Sequence, residues 1–370
     1  MKLRIAGIFS ILAFLSLLVT GCPSSNTPAA PGSTPTATPI PNGGVVTTLA
    51  GSAGVTGATN ATGTSATFNN PAGVAVDSSG NVYVADVNNH LIRKITSGGV
   101  VTTLAGSAGV TGATNATGTF ATFNNPNGVA VDSSGNVYVA DTFNHLIRKI
   151  TPGGVVSTLA GTGSSGSNNA TGTSASFSYP YGVAVDSSGN VYVGDTYNYL
   201  IRKITPGGVV TTLAGTVGSF GAVNATGTSA SFYFPAGVAV DSSGNVYVAD
   251  ENNHLIRKIT SGGVVTTLAG TAGSFGAVNA TGTSASFYYP TGVAVDNYGT
   301  VYVADHTNYL IRQITPGGVV TTLAGLAGSP GSNNATGTSA TFNVPNGIAV
   351  DSSRIVYVGD AGNHLVRKIQ

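Results

Sequence analysis

Pro71-Ala-Gly-Val-Ala-Val-Asp-Ser-Ser-Gly-Asn-Val-Tyr-Val-Ala-Asp86, followed by Asn89-His90-Leu91-Ile92-Arg93-Lys94-Ile95 and Val100-Val-Thr-Thr-Leu-Ala105, decides the fold of this chain. It contains four short β-rich runs, at 73–77, 81–86, 91–96 and 100–105, separated by Gly, Ser and Asn. Such runs read as strands and their separators as turns. The unit occurs six times, marked by Asp86, Asp141, Asp195, Asp250, Asp305 and Asp360, at spacings of 55, 54, 55, 55 and 55. A period this long and regular means a repeat architecture, and four strands per unit is the grammar of a propeller blade. Ser78-Ser79-Gly80 and Ser97-Gly98-Gly99 are short enough to be hairpin turns, with Gly supplying positive φ, so both turns fall on one face.

A solenoid could share this period, and the phase of the ends separates the two. The repeat region opens with Val45-Val-Thr-Thr-Leu-Ala50, a fourth strand without its first three. It closes with Leu365-Val-Arg-Lys-Ile369, a third strand without a fourth. An open stack gains nothing from this offset, whereas in a ring the opening strand completes the last blade. The expected fold is all-β: a six-bladed β-propeller of four-stranded antiparallel blades over 43–370, closed by the N-terminal strand.

Composition agrees with this reading. Charged residues make up only 7% of the chain, against about 25% in ordinary soluble domains. Twelve of the 13 acidic residues are the two repeated Asp of each blade, and 11 of the 14 basic residues belong to the repeated Arg-Lys pair, where Gln313 replaces one Lys. Charges at repeat positions argue for structural pairing: an Asx-turn for the Asp77 type, and loop amides or an Arg for the Asp86 type. With a net charge of +1 and no basic run, a nucleic-acid partner is not expected.

Residues 1–42 read differently. Lys2 and Arg4 precede an apolar run from Ile5 to Val19, and Leu18-Val19-Thr20-Gly21-Cys22 follows. This pattern resembles a bacterial lipoprotein signal with its lipobox. The resemblance implies that residues 1–21 are removed and that Cys22, the only cysteine, becomes the acylated anchor to the membrane. The 22–42 stretch carries Pro23, Pro28, Pro31, Pro35, Pro39 and Pro41 among Ser, Thr and Ala, the composition of a linker. The implied location is the bacterial cell envelope, with the propeller outside the cytoplasm, on the outer membrane where one exists or at the cell surface.

The run 71–86 with Asn89–Ile95 closely resembles the NHL repeat, and the match recurs to the end of the chain. This architecture is shared by gluconolactonase-like enzymes, amidating lyases and strictosidine-synthase-like proteins, and by domains that only bind. Two departures stand out. The loop that usually reads Asp-Gly-Thr-Gly in bacterial relatives is here Asn-Ala-Thr-Gly, as at 60–63, which removes a carboxylate a cation could use. Arg354 stands where other blades have a turn Gly, so a strained or reshaped hairpin is expected.

Identical residues at six positions form a symmetric ring, whereas a site needs residues that differ between blades. These lie on the face opposite the tight turns, built from the long loops between fourth and first strands. Phe143, Tyr179, Tyr181, Tyr197, Tyr199, Tyr233, Tyr288, Tyr289 and Tyr309 are the candidate ligand-binding residues there, with Phe220, Phe234 and Phe275 beside them. Tyr brings contact area and a polar tip at low entropic cost, so a protein, peptide or glycan ligand is expected. No catalytic set is assigned. A metal site is not expected: His90, His145, His254 and His364 hold one repeat position, and His306 stands apart. Strand-start hydrogen bonding is their expected role. An axial calcium, as in the resembled lactonases, would need acids at Ala72, Asn127, Tyr181, Ala236, Thr291 and Asn346, where there are none. Glu251, the one acid outside the repeat, is read as a solvated residue on an edge loop. The expectation is a monomeric, cofactor-free binding scaffold, with a lactonase- or lyase-like enzyme as the alternative.

Overall fold

A computed structural model describes residues 43–370, and the readings of residues 1–42, Cys22 among them, lie outside the described residues. The described chain forms six four-stranded antiparallel sheets, one per repeat. In the first blade the strands are Pro71–Val76, Val82–Asp86, Leu91–Ile95 and Val101–Ala105, ordered from the channel outward. The last blade takes Pro345–Val350, Val356–Asp360 and Leu365–Ile369 from the C-terminal end and Val46–Ala50 from the start of the chain. Val46 pairs with Ile369, Thr47 with Lys368 and Thr48 with Arg367. The offset ends therefore close the ring, as the sequence phase requires.

Alternation along each strand builds two unlike blade faces. Ala75, Tyr83, Ala85 and Ile92 of the first blade pack against Phe123, Val129, Val137, Val139 and Ile150 of the second. Small residues on one face thus receive branched and aromatic residues on the next, and the core is six such interfaces rather than one centre. The innermost strands approach closely because each carries a Gly. A Cβ on Gly182 would meet the Ala236 carbonyl oxygen at 2.4 Å, and on Gly128 the Tyr181 carbonyl oxygen at 2.3 Å.

The long loops are tied to their blades by a buried Arg. Arg93 Nη1 lies 2.8 Å from Asp86 Oδ2, with both side chains fully buried. Arg93 also donates to the carbonyls of Thr67 and Thr59 and to Asn60 Oδ1, and its guanidinium lies 5.1 Å from the centre of the Phe68 ring. Asp86 further accepts from the Asn69 N–H and Asn89 Nδ2. The arrangement recurs in all six blades. Burial pushes the Asp86-type carboxyls up to about 6, against the pull of these donors. The Asp77 type makes the expected Asx-turn, accepting from the N–H groups of Ser79 and Asn81.

Candidate functional site

The loop face is assembled from two left-handed residues per junction. The turn between second and third strands ends on His90, His145, Tyr199, His254, Tyr309 or His364, at φ 56° to 62°. The residue before the first-strand Pro is also left-handed: Asn70, Asn125, Tyr179, Phe234, Tyr289 or Val344. Neighbouring blades join these two positions. His90 Nδ1 accepts from the Asn125 N–H at 3.2 Å, His145 from Tyr179 at 3.1 Å, His254 from Tyr289 at 3.3 Å, and His364 from Asn70 at 3.2 Å across the ring closure. The His residues are thus latches between blades. Burial lowers their affinity for a proton, which suits a neutral, accepting Nδ1.

Left-handed backbone at the pre-Pro position turns its side chain onto the loop face, and where that residue is aromatic a belt forms. Tyr179 touches Phe143 (5.4 Å between ring centres), His145 (4.6 Å) and Tyr197 (4.7 Å). Tyr197 reaches Phe234 at 4.9 Å, and Phe234 meets Tyr199 and Tyr233. Phe220 stacks on Tyr233 at 4.7 Å and 28°. One blade further, Phe275 stacks on Tyr288 at 4.6 Å and 22°, continuing to Tyr289 and His254. Phe143, Tyr197, Phe220 and Phe275 are 52%, 55%, 61% and 63% exposed, so the belt has an open surface. Tyr309 is half-buried and enters none of these ring contacts. Phe120, 82% exposed, replaces the Ser found at this place in the other copies, a break in the repeat that the sequence reading passed over.

Tyr181 is placed apart from the belt, inside the axial channel. Its phenol oxygen accepts from Asn346 Nδ2 at 2.7 Å, from the opposite blade. The channel around it, lined by Gly73, Asn127, Tyr181, Thr291 and Asn346 among others, encloses about 60 Å³. Toward the short-turn face the channel continues, lined by Val74, Val129, Val183, Val238, Val293 and Ile348 among others, with about 170 Å³ more, and both stretches fall below the about 300–1,000 Å³ usual for small-molecule sites. Burial, with the Glu251 carboxylate beside it, pushes the Tyr181 phenol above its ordinary range. Glu251, expected as a solvated edge residue, is half-buried in the turn that follows Asp250. It lies near Tyr181 at the channel mouth, and burial raises its carboxyl to about 7. Sequence spacing placed the channel lining at the residue after the first-strand Pro, and missed that Thr142 and Thr196, each directly after an Asp86-type residue, reach the innermost strand of the next blade. Among the described residues, no three His, Cys, Asp or Glu side chains gather into a metal-binding group. No helix among them is long and apolar enough to cross a membrane.

The NHL repeat model matches residues 68–95, 123–150, 177–204, 232–259, 287–314 and 342–369. NHL repeat-containing protein 2 of Gallus gallus is 30% identical over 337 residues, covering 80% of this chain and 46% of its own. The chain therefore spans about half the length of the curated relatives it matches. Among solved structures, an auxiliary nutrient binding protein from Bacteroides thetaiotaomicron superposes with TM-score 0.67 at 17% identity, covering 88% of this chain and 76% of that one. A streptogramin B lyase superposes with TM-score 0.54 at 14% identity, over 89% and 98% of the two chains. At these identities the likeness is one of fold. Six matched units, one per blade and each running from the buried loop Phe through the third strand, make this chain a closed six-bladed propeller of NHL repeats.

Proposed function

We propose that the propeller is a binding scaffold that recognises a protein, peptide or glycan on its loop face, with blades 2 to 5 supplying the contact. The observation that carries this reading is the aromatic belt. Its rings are joined from Phe143 to Phe220, with a second cluster from Phe275 to His254, and the most exposed members face solvent. Aromatic side chains held rigidly at an open surface are efficient contact residues, because little entropy is lost on binding. The buried Arg anchors hold the loops that carry them. The fold shared with an auxiliary nutrient binding protein supports a binding role, while the narrow channel disfavours the lactonase- or lyase-like alternative. We further propose a lipid anchor at Cys22 that holds the propeller at the envelope surface, on the strength of the 1–22 pattern.

Two experiments test this reading. Binding of glycan and peptide panels is measured for wild type and for Tyr197→Ala with Phe220→Ala. Central aromatic contacts each carry about 2 kcal/mol, so the double variant is expected to lose binding by a hundredfold or more. Unchanged affinity would refute the loop-face reading. Expression with an alkyne-tagged palmitate tests the anchor: label is expected on wild type and absent from Cys22→Ser.

A further inference from the structure

Two of the six junctions carry the same aromatic module. The loop at 215–234 and the loop at 270–289 differ only at Val217 against Ala272 and Phe234 against Tyr289. In the first, Phe220 stacks on Tyr233 at 4.7 Å and 28°, and in the second Phe275 stacks on Tyr288 at 4.6 Å and 22°. A further ring from the preceding blade closes each stack from the side: Tyr199 lies 5.9 Å from Phe220, and His254 lies 6.0 Å from Phe275. The other four loops hold Thr56, Thr111, Ser165 and Pro330 where these two hold Phe, and so build no such pair.

Both stacks hang from a buried ion pair. The Tyr233 N–H donates to Asp250 Oδ1 at 2.7 Å. The carbonyl of Gly221, next to Phe220, accepts from Asn253 Nδ2, which also donates to Asp250 Oδ2. Tyr288, Gly276, Asn308 and Asp305 repeat these bonds one blade on. One fully buried carboxylate thus holds the backbone at both members of each stack, and a platform formed in advance loses little entropy on binding.

The chemistry of the platforms selects the ligand. Phe220 and Phe275 keep most of their ring surface open to solvent. Neither loop contains an Asp, Glu, Lys, Arg or His, and the Arg and Asp beneath them are paired with each other. Glu251, in the adjoining turn, repels an anionic polymer. Open ring faces without ionic partners suit an uncharged ligand that has a flat apolar face of its own. A pyranose ring has one, since its axial C–H groups gain dispersion energy against aromatic carbon. The Tyr233 and Tyr288 phenols hold no hydrogen bond among the described residues and can serve the sugar hydroxyls. Two like platforms one blade apart further require a ligand that itself repeats, because a single sugar would gain nothing from the second.

We propose that the platforms of Phe220 with Tyr233 and of Phe275 with Tyr288 bind one uncharged polysaccharide chain, each stacking a pyranose unit along it. This rests on the loop-face reading above and names its ligand class. A chain held at one platform meets the other intramolecularly, so affinity grows with chain length until both are spanned.

The test is titration calorimetry on the full chain with cello-, laminari- and malto-oligosaccharides, each from disaccharide to octasaccharide, beside an acidic oligogalacturonate series. At least one neutral series is expected to bind, with affinity rising about tenfold or more from its shortest to its longest member. Phe220→Ala and Phe275→Ala are each expected to return the long oligomers to the affinity of the short ones. Phe220→Leu, which keeps apolar bulk without a flat ring, is expected to do the same and guards against a folding defect in the Ala variant. Absence of binding by all three neutral series, affinity independent of length, oligogalacturonate binding as tight as the neutral series, or length dependence preserved in either Ala variant would each overturn the proposal. Failure here is separable from failure of the loop-face reading: a panel peptide lost on Tyr197→Ala with Phe220→Ala, while no oligosaccharide binds, sinks the polysaccharide and leaves the aromatic face standing.

Discussion

At the residue scale, the fold depends on groups that are buried because the repeat supplies all their partners at once. Arg202 shows this: it meets Asp195 at 2.6 Å, donates to the carbonyls of Ser176 and Asn168 and to Asn169 Oδ1, and lies over Phe177. Removing one member of such a pair strands the other's charge. Arg202→Met is therefore expected to cost about 3–5 kcal/mol, measured by chemical denaturation, whereas loss under about 1 kcal/mol would contradict the anchoring role. The Asp pattern was legible in the sequence because every such charge recurred at one spacing. The His latches were legible only as a position. Their acceptor role depends on the left-handed pre-Pro residue of the next blade, about 35 residues away, and no local pattern records that pairing. The electrostatic reach of Glu251 was hidden for a related reason, since a residue seen only beside His254 gives no sign that its charge acts on Tyr181 of the neighbouring blade.

At the element scale, junctions between blades are equivalent but not identical, and one shows a substitution of parts. In blades 1 to 4 the Asx-turn Asp also accepts from an Asn side chain, as in Asn81 Nδ2 to Asp77 Oδ2 at 2.8 Å. Blade 5 has Thr300 there, and the guanidinium of Arg354 from blade 6 lies 3.2 Å from Asp296 Oδ2 instead. Arg354 adopts φ 66°, so the hairpin expected to be reshaped keeps the Gly-type turn with a residue that fits it less well. The same junction lacks a His latch, because Tyr309 occupies that place. Arg354→Gly is expected to relax the turn and weaken the junction together. Adding Thr300→Asn should recover stability beyond the sum of the single effects, a positive coupling that a double-mutant cycle in urea would read. Additivity would show that the ion pair does not replace the missing amide. The innermost strands have no such tolerance. Gly182→Ala would place a methyl 2.4 Å from the Ala236 oxygen and is expected to destabilise by about 1–3 kcal/mol.

At the scale of the whole molecule, four latches and six buried carboxyls make stability respond to pH in opposing ways. Neutral latch His have folded affinities below the ordinary 6.5, so their contribution is complete above about that pH and is lost as pH falls below it. The buried Asp, raised to about 6, contribute in the other direction, losing stability as pH rises from the ordinary 3.8 through 6. The His share is isolated by difference. A variant with His90, His145, His254 and His364 changed to Asn is expected to have a lower Tm than wild type at pH 7.5 and to close much of that gap at pH 5. A gap independent of pH would show that the latches act through packing alone. Fold and ring closure were readable because they follow from period and phase, which are properties of the whole chain. The aromatic belt was readable as composition, since its rings break the repeat in blades 2 to 5, but its stacking depends on left-handed backbone at Tyr179, Phe234 and Tyr289.

The central claim is that recognition belongs to this belt and not to the short-turn face. The most direct measurement is oxidative footprinting of the propeller with and without the tightest ligand from the glycan and peptide panels, read by mass spectrometry. Protection at Tyr197, Phe220 and Phe275, with Tyr298 on the opposite face unchanged, is the expected result. Protection of Tyr298 with the belt still reactive would contradict the account.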